Sequence, residues 1–195
     1  MADNVHEGDL DLSDVTSPEG LELPDKVTGD LDLRSLTSAE GLKLPGHVGG
    51  ILWLSGLTSA ERLKLPEHVG GDLDLNYLTS AKGLKMPEHV GGDLDLRALT
   101  LAYGWTLTIW GPLSHNRPTW EEGLKLPEHL GGGLDLRALT SAEGWTLPKH
   151  VVLDLYLDAL TSAEWLKLPE HVGGTLSLKG LTTAEGLKLP EHVGR

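Results

Sequence analysis

The chain has no cysteine and no phenylalanine among its 195 residues. The first absence excludes disulfides, thiolate metal sites and thiol nucleophiles, and it leaves the redox compartment open. The second leaves leucine to dominate the apolar set, which suits a core of stacked aliphatic side chains. Basic residues are scarce: 16 Lys and Arg stand against 29 Asp and Glu, a formal net charge of −13. Nucleic acid and anionic membrane both need a basic surface, so neither is expected as a partner. No run of 18 apolar residues occurs, and the opening MADNVHEGDL is acidic and polar, with no apolar h-region. A membrane span and a classical signal peptide are therefore not expected, which points to the cytoplasm or to secretion by another route. G-x-S-x-G, P-loop and HExxH signatures are missing too, and no paired-carboxylate constellation stands out. No catalysis, no cofactor and no metal are expected.

What is present is one 21-residue unit repeated from end to end. Its clearest copy is Leu78–Ala98, LTSAKGLKMPEHVGGDLDLRA. The first position recurs at Val15, Leu36, Leu57, Leu78, Leu99, Pro118, Leu139, Leu160 and Leu181, always 21 residues apart except for one step of 19 from Leu99 to Pro118. A fixed period of this length marks a solenoid, in which each copy is one coil stacked on the next. Residues 1–195 accordingly read as a single domain: mainly β, about nine coils, a parallel sheet along one face and little helix.

The copy Leu36–Gly56, LTSAEGLKLPGHVGGILWLSG, shows how a coil is built. It holds two L-x-L units, Leu42-Lys43-Leu44 and Leu52-Trp53-Leu54. Alternate side chains of extended chain point to opposite faces, so the leucines face inward and Lys43 and Trp53 outward. Leu36, Ala39 and Val48 complete the inward set. Gly49-Gly50 supplies backbone freedom for a tight turn. Pro45 keeps the first L-x-L from becoming a long strand, because proline cannot donate to a ladder. The second unit, after the Gly-Gly turn, is the candidate for a continuous parallel sheet. One coil buries too little to stand alone, so neighbouring coils must supply the remaining contacts.

The segment Leu124–Ser141, LKLPEHLGGGLDLRALTS, resembles bacterial leucine-rich repeats of the short type, LPxxLxxLxLxxNxLTxLP. Leu126-Pro127 matches the LP, Leu130 the next leucine, Leu134-Asp135-Leu136 the strand, and Leu139-Thr140-Ser141 the closing LTx. The likeness runs from about Leu10 to Val193. It implies a curved solenoid with its parallel sheet on the concave face, irregular extended chain on the convex face, and ligand or protein binding on the concave side. The asparagine that usually seals each coil is absent, and Leu139 stands in its place. The Gly-Gly turn is one residue longer than in the family pattern. Effector-type ubiquitin ligases of this kind need a cysteine that the chain lacks.

Stacking turns each repeat position into a column. The outward strand position gives Asp32, Trp53, Asp74, Asp95, Ser114, Asp135, Tyr156 and Ser177; two residues on stand Arg34, Ser55, Asn76, Arg97, Asn116, Arg137, Asp158 and Lys179. Of these, Asp32, Arg34, Trp53, Asp74, Asn76, Asp95, Arg97, Asp135, Arg137 and Tyr156 are the candidate contacts for a protein partner. The competing reading is a solvated sheet face whose aspartates and arginines neutralise one another. Another column holds His47, His68, His89, His129, His150, His171 and His192. Duplication of one E-H-V unit explains it without a metal, and protonation of such near neighbours is expected to be mutually repulsive.

The fifth copy, Leu99–Arg117, departs from the pattern. A non-repeating patch within a repeat array is a natural place for a specific site, here formed by Tyr103, Trp110, His115, Asn116 and Trp120. Damage by compensating frameshifts in repetitive DNA is the alternative, since His115 falls where an inward leucine belongs. The seventh copy replaces its glycine pair with Val152-Leu153. Neither end shows an obvious capping element, so end-to-end self-association is a further expectation.

Overall fold

The computed structural model describes residues 4–81, 83–100, 124–143 and 145–194. The chain winds into a β-solenoid of about eight turns with no helix among the described residues. The expected ladder is there. Strands Leu10–Asp11, Leu31–Asp32, Leu52–Trp53, Leu73–Asp74, Leu94–Asp95, Leu134–Asp135, Leu155–Tyr156 and Leu176–Ser177 pair in parallel into one eight-stranded sheet, called here the Leu-Asp sheet. Each leucine stacks on the leucine of the coil before it, as in Leu52 on Leu31.

A second parallel ladder, not anticipated from the sequence, runs along the histidine column. His47–Val48, His68–Val69, His89–Val90 and His129–Leu130 lie with Val5–His6 and Lys26–Val27 in a six-stranded sheet. His150–Val151, His171–Val172 and His192–Val193 form a separate three-stranded sheet. The valines point inward: Val27, Val48, Val69, Val90, Val151 and Val172 are all buried. Among the described residues the first L-x-L of a coil forms no strand, in keeping with its proline, and contributes only the isolated bridge Lys125–Thr146.

The core is one continuous cluster. Leu31, Leu33, Leu36, Ala39, Leu42 and Val48 supply it from one coil, the coils beginning at Leu52, Leu73, Leu134 and Leu155 repeat the set, and in the last coil Leu176, Leu178 and Leu187 are only partly buried. Trp145 takes the place of the Leu42 column and is buried there. Two turns close each coil. After the Leu-Asp strand, the Leu36 N–H donates to the Leu33 carbonyl at 3.0 Å. Further on, the Leu42 N–H donates to the Ala39 carbonyl at 3.1 Å around Gly41, whose φ of 80° is the left-handed value that the third residue of a type II turn requires. Arg62 and Trp165 occupy that position in two other copies, with φ of 64° and 65°.

The glycine pair has a steric role beyond turn freedom. A Cβ at Gly49, Gly70, Gly91 or Gly131 would collide with the carbonyl oxygen of the residue below it in the stack, Thr28, Gly49, Gly70 and Gly91 respectively. Val152 brings a Cβ to this column in the seventh copy. The His-Val ladder opens there, between His129–Leu130 and His150–Val151, while the Leu-Asp ladder continues through Leu134–Leu155. Val152 and Leu153 are left 53% and 51% exposed.

Nine copies in the sequence thus become about eight stacked turns. Leu94 pairs directly with Leu134, and the Gly133 N–H donates to Asp93 Oδ1 across a separation of 40 residues, where other coils span 21. The candidate patch Tyr103, Trp110, His115, Asn116 and Trp120 lies outside the described residues.

Candidate functional site

The two aspartates of each GGDLDL motif do different work. The first belongs to an inter-coil ladder. Oδ1 of Asp9, Asp30, Asp72, Asp93 and Asp154 accepts the backbone N–H of Asp30, Ile51, Asp93, Gly133 and Thr175 on the next coil, at 2.6–2.9 Å. This aspartate row ties each coil to the next through side-chain-to-backbone bonds. The second aspartate turns back on its own chain. Oδ1 of Asp32, Asp74, Asp95 and Asp135 accepts the N–H two residues on, from Arg34, Asn76, Arg97 and Arg137, at 3.0–3.1 Å. Such Asx bonds compete well with a straight strand and end it in a turn. Leu52–Trp53, Leu155–Tyr156 and Leu176–Ser177 are equally short without such a bond, so the two-residue length belongs to the repeat as a whole.

The predicted outward column is consequently less exposed than the sequence implies. Asp32 is 8% exposed, and Asp74, Asp95 and Asp135 are half-buried beneath their arginine and asparagine neighbours. Burial pushes the Asp74 and Asp135 carboxyls up from the ordinary carboxylate range, against the pull of the N–H groups of Asn76 and Arg137. The arginines fill the charge gap. Arg34 Nε sits 2.8 Å from Asp32 Oδ2, and a second guanidinium nitrogen bonds the same oxygen. Arg97 grips Asp95 as a fork, Nε on Oδ1 at 2.9 Å and a second guanidinium nitrogen on Oδ2. These hydrogen bonds hold both guanidinium groups above their usual pKa.

From Asp95 onward the charges join across coils into one alternating chain. Arg97 Nε lies 4.0 Å from Asp135, Arg137 Nη1 lies 3.1 Å from Asp135 and its Nε 3.9 Å from Asp158, and Lys179 Nζ lies 3.9 Å from Asp158. Charge neutralisation on this face is therefore real. It also leaves groups that neutralisation does not use. Arg34 lies over the Trp53 ring at 5.3 Å and Arg137 over the Tyr156 ring at 4.0 Å. The Tyr156 hydroxyl donates to Asp154 at 2.8 Å, which raises its pKa. Asn76 holds a buried amide oxygen with no hydrogen-bond partner. A shallow groove of about 240 Å³ runs among Asp95, Arg97, Asp135, Arg137 and Tyr156.

All ten predicted face residues thus share the Leu-Asp sheet and the turn after it. The inter-coil aspartate row was missed. Its signal was in the sequence, in the first Asp of GGDLDL, but an aspartate beside a glycine pair reads equally as a plain turn residue.

Comparison of the chain with known protein families, curated proteins and solved structures finds no match.

Proposed function

We propose that the chain is a non-enzymatic binding module of the short bacterial leucine-rich-repeat type, whose Leu-Asp face recognises a protein partner. The observation that carries this reading is the pairing of aromatic rings with arginines on one sheet, Arg34 over Trp53 and Arg137 over Tyr156, with Arg97 between them. Tryptophan, tyrosine and arginine dominate binding energy at protein interfaces. Here each ring is already packed by its arginine, and the arginines are already fixed by buried or half-buried aspartates. Little side-chain freedom is left to lose on binding, and that loss is a main cost of association. The half-buried carboxylates act as supports for the arginines, so the arginines and aromatics are the groups that meet a partner.

The test is capture of partners by the wild-type chain beside Trp53→Ala, Arg97→Ala and Tyr156→Ala variants. Saturable binding should weaken roughly tenfold or more in each, with melting temperature little changed. Equal binding by all three variants overturns the proposal. Concentration-dependent filaments that form without any ligand would instead support a structural, self-associating role.

A further inference from the structure

Duplication explains why histidine recurs on each coil. It does not explain why one pair of histidines differs from the rest. In the six-stranded segment the rings form an unbroken stack, with centroids of His47, His68, His89 and His129 at successive spacings of 6.0, 5.1 and 4.7 Å. Beyond the opening at Val152 the stack restarts with His150 and His171, 5.0 Å apart. The Lys149 carbonyl accepts the N–H of both Glu170, at 2.8 Å, and His171, at 3.3 Å. The Glu67 and Glu170 carbonyls accept the same pair of N–H groups from the coil above, so this bonding belongs to the whole ladder. One donor atom from each of His150, Glu170 and His171 lies within 4.8 Å of the other two, the only such trio among the described residues.

Two further observations set this cluster apart. Nδ1 of His171 is buried and makes no hydrogen bond, so the ring enters the cluster with an unsatisfied nitrogen. The coil opening also provides space beside His150, a cleft of about 680 Å³ lined in part by Glu128, His129 and Val152. A lysine stands where most other copies carry glutamate, and Lys149 Nζ reaches Glu170 at 4.0 Å. A metal ion there would displace Lys149 as the partner of Glu170.

We propose that His150, Glu170 and His171 bind one divalent transition-metal ion of the zinc type, joining the seventh and eighth copies just beyond the break. Two imidazoles and a carboxylate suit zinc, with solvent completing the shell from the cleft. Donors sharing a tetrahedral zinc sit roughly 3.3 Å apart, so side-chain rotations of about an ångström close the site. Magnesium and calcium favour oxygen-only shells and are not the expected ligands. The reading is independent of the proposed protein-binding face.

Calorimetric titration of zinc into the full chain near neutral pH tests it. One ion per chain is expected, with affinity reduced tenfold or more by His150→Gln, by His171→Gln and by Glu170→Gln, and unchanged by His68→Gln in the continuous stack. Glu170 is exposed, so Glu170→Gln keeps the test decisive should a histidine variant fold poorly. Histidine ring NMR signals of residues 150 and 171 should shift on zinc addition while those of His68 do not. Absence of saturation at one equivalent overturns the proposal. So does an equal loss of affinity in His68→Gln, which would mean diffuse binding along the whole column.

Discussion

A half-buried carboxylate and a stack of imidazoles give this molecule its most specific chemistry at the level of single residues. Asp74 accepts the Asn76 N–H at 3.0 Å while burial disfavours its charge. Asparagine keeps that acceptor without the charge, so Asp74→Asn should be neutral or stabilising at pH 7. Asp74→Ala leaves the N–H without its acceptor and should cost about 1 kcal/mol in urea unfolding. His47 titrates in the opposite sense. Partial burial lowers its pKa from 6.5, helped by Lys26 on one neighbouring strand and His68 on the other. A histidine with a depressed folded pKa binds fewer protons folded than unfolded, so stability is present above the unfolded value and falls as pH drops through about 6.5 and below. Melting temperature should therefore decrease between pH 8 and pH 5, and the decrease should shrink in His47→Gln. Both columns were plain in the sequence. Which aspartates are half-buried was not, because the arginines that cover them come from the turn and from the next coil.

Between neighbouring coils the deciding atom is a Cβ. Glycine recurs in the first position of the turn because the carbonyl of the preceding coil lies against it, and Val152 marks where the His-Val sheet divides among the described residues. Val152→Gly should let His150–Val151 pair with His129–Leu130. Slower hydrogen exchange at the amides of residues 149–152 would report that closure, and unchanged exchange would show that valine is not what holds the ladder open. Gly70→Ala should do the reverse and open a second gap, with a larger loss of stability than Gly41→Ala, where the added methyl has space and only the left-handed φ of 80° is strained. The glycine pair was legible as a turn. Its role as a contact surface was not, since the carbonyl it meets lies one whole coil earlier in the chain.

Over the full solenoid, stability is a sum of such nearest-neighbour interfaces, and what matters is which coils are neighbours. The strands at Leu94 and Leu134 pair across 40 residues, nineteen more than the 21 of a regular coil. Replacing residues 101–123 with the four residues Ser-Ala-Glu-Gly restores the regular spacing between Leu99 and Leu124. The shortened chain should keep its circular dichroism spectrum and a cooperative melt within a few degrees of the parent. A broad or two-step melt would mean that the fourth and sixth copies do not form a sufficient interface by themselves.

The 21-residue period by itself determined the solenoid, the inward set of leucine, valine and alanine, and the polar positions that share a row, because identical coils stack in register. Only the tertiary structure decided that the histidine column is a second sheet, that the two aspartates of each motif bond in different directions, that the ladder opens at Val152, and that the fourth copy rests on the sixth. The first group follows from local alternation and repetition. The second depends on backbone carbonyls, N–H groups and side chains brought together from one or two copies away, and a periodic sequence presents those alike in every copy until packing distinguishes them.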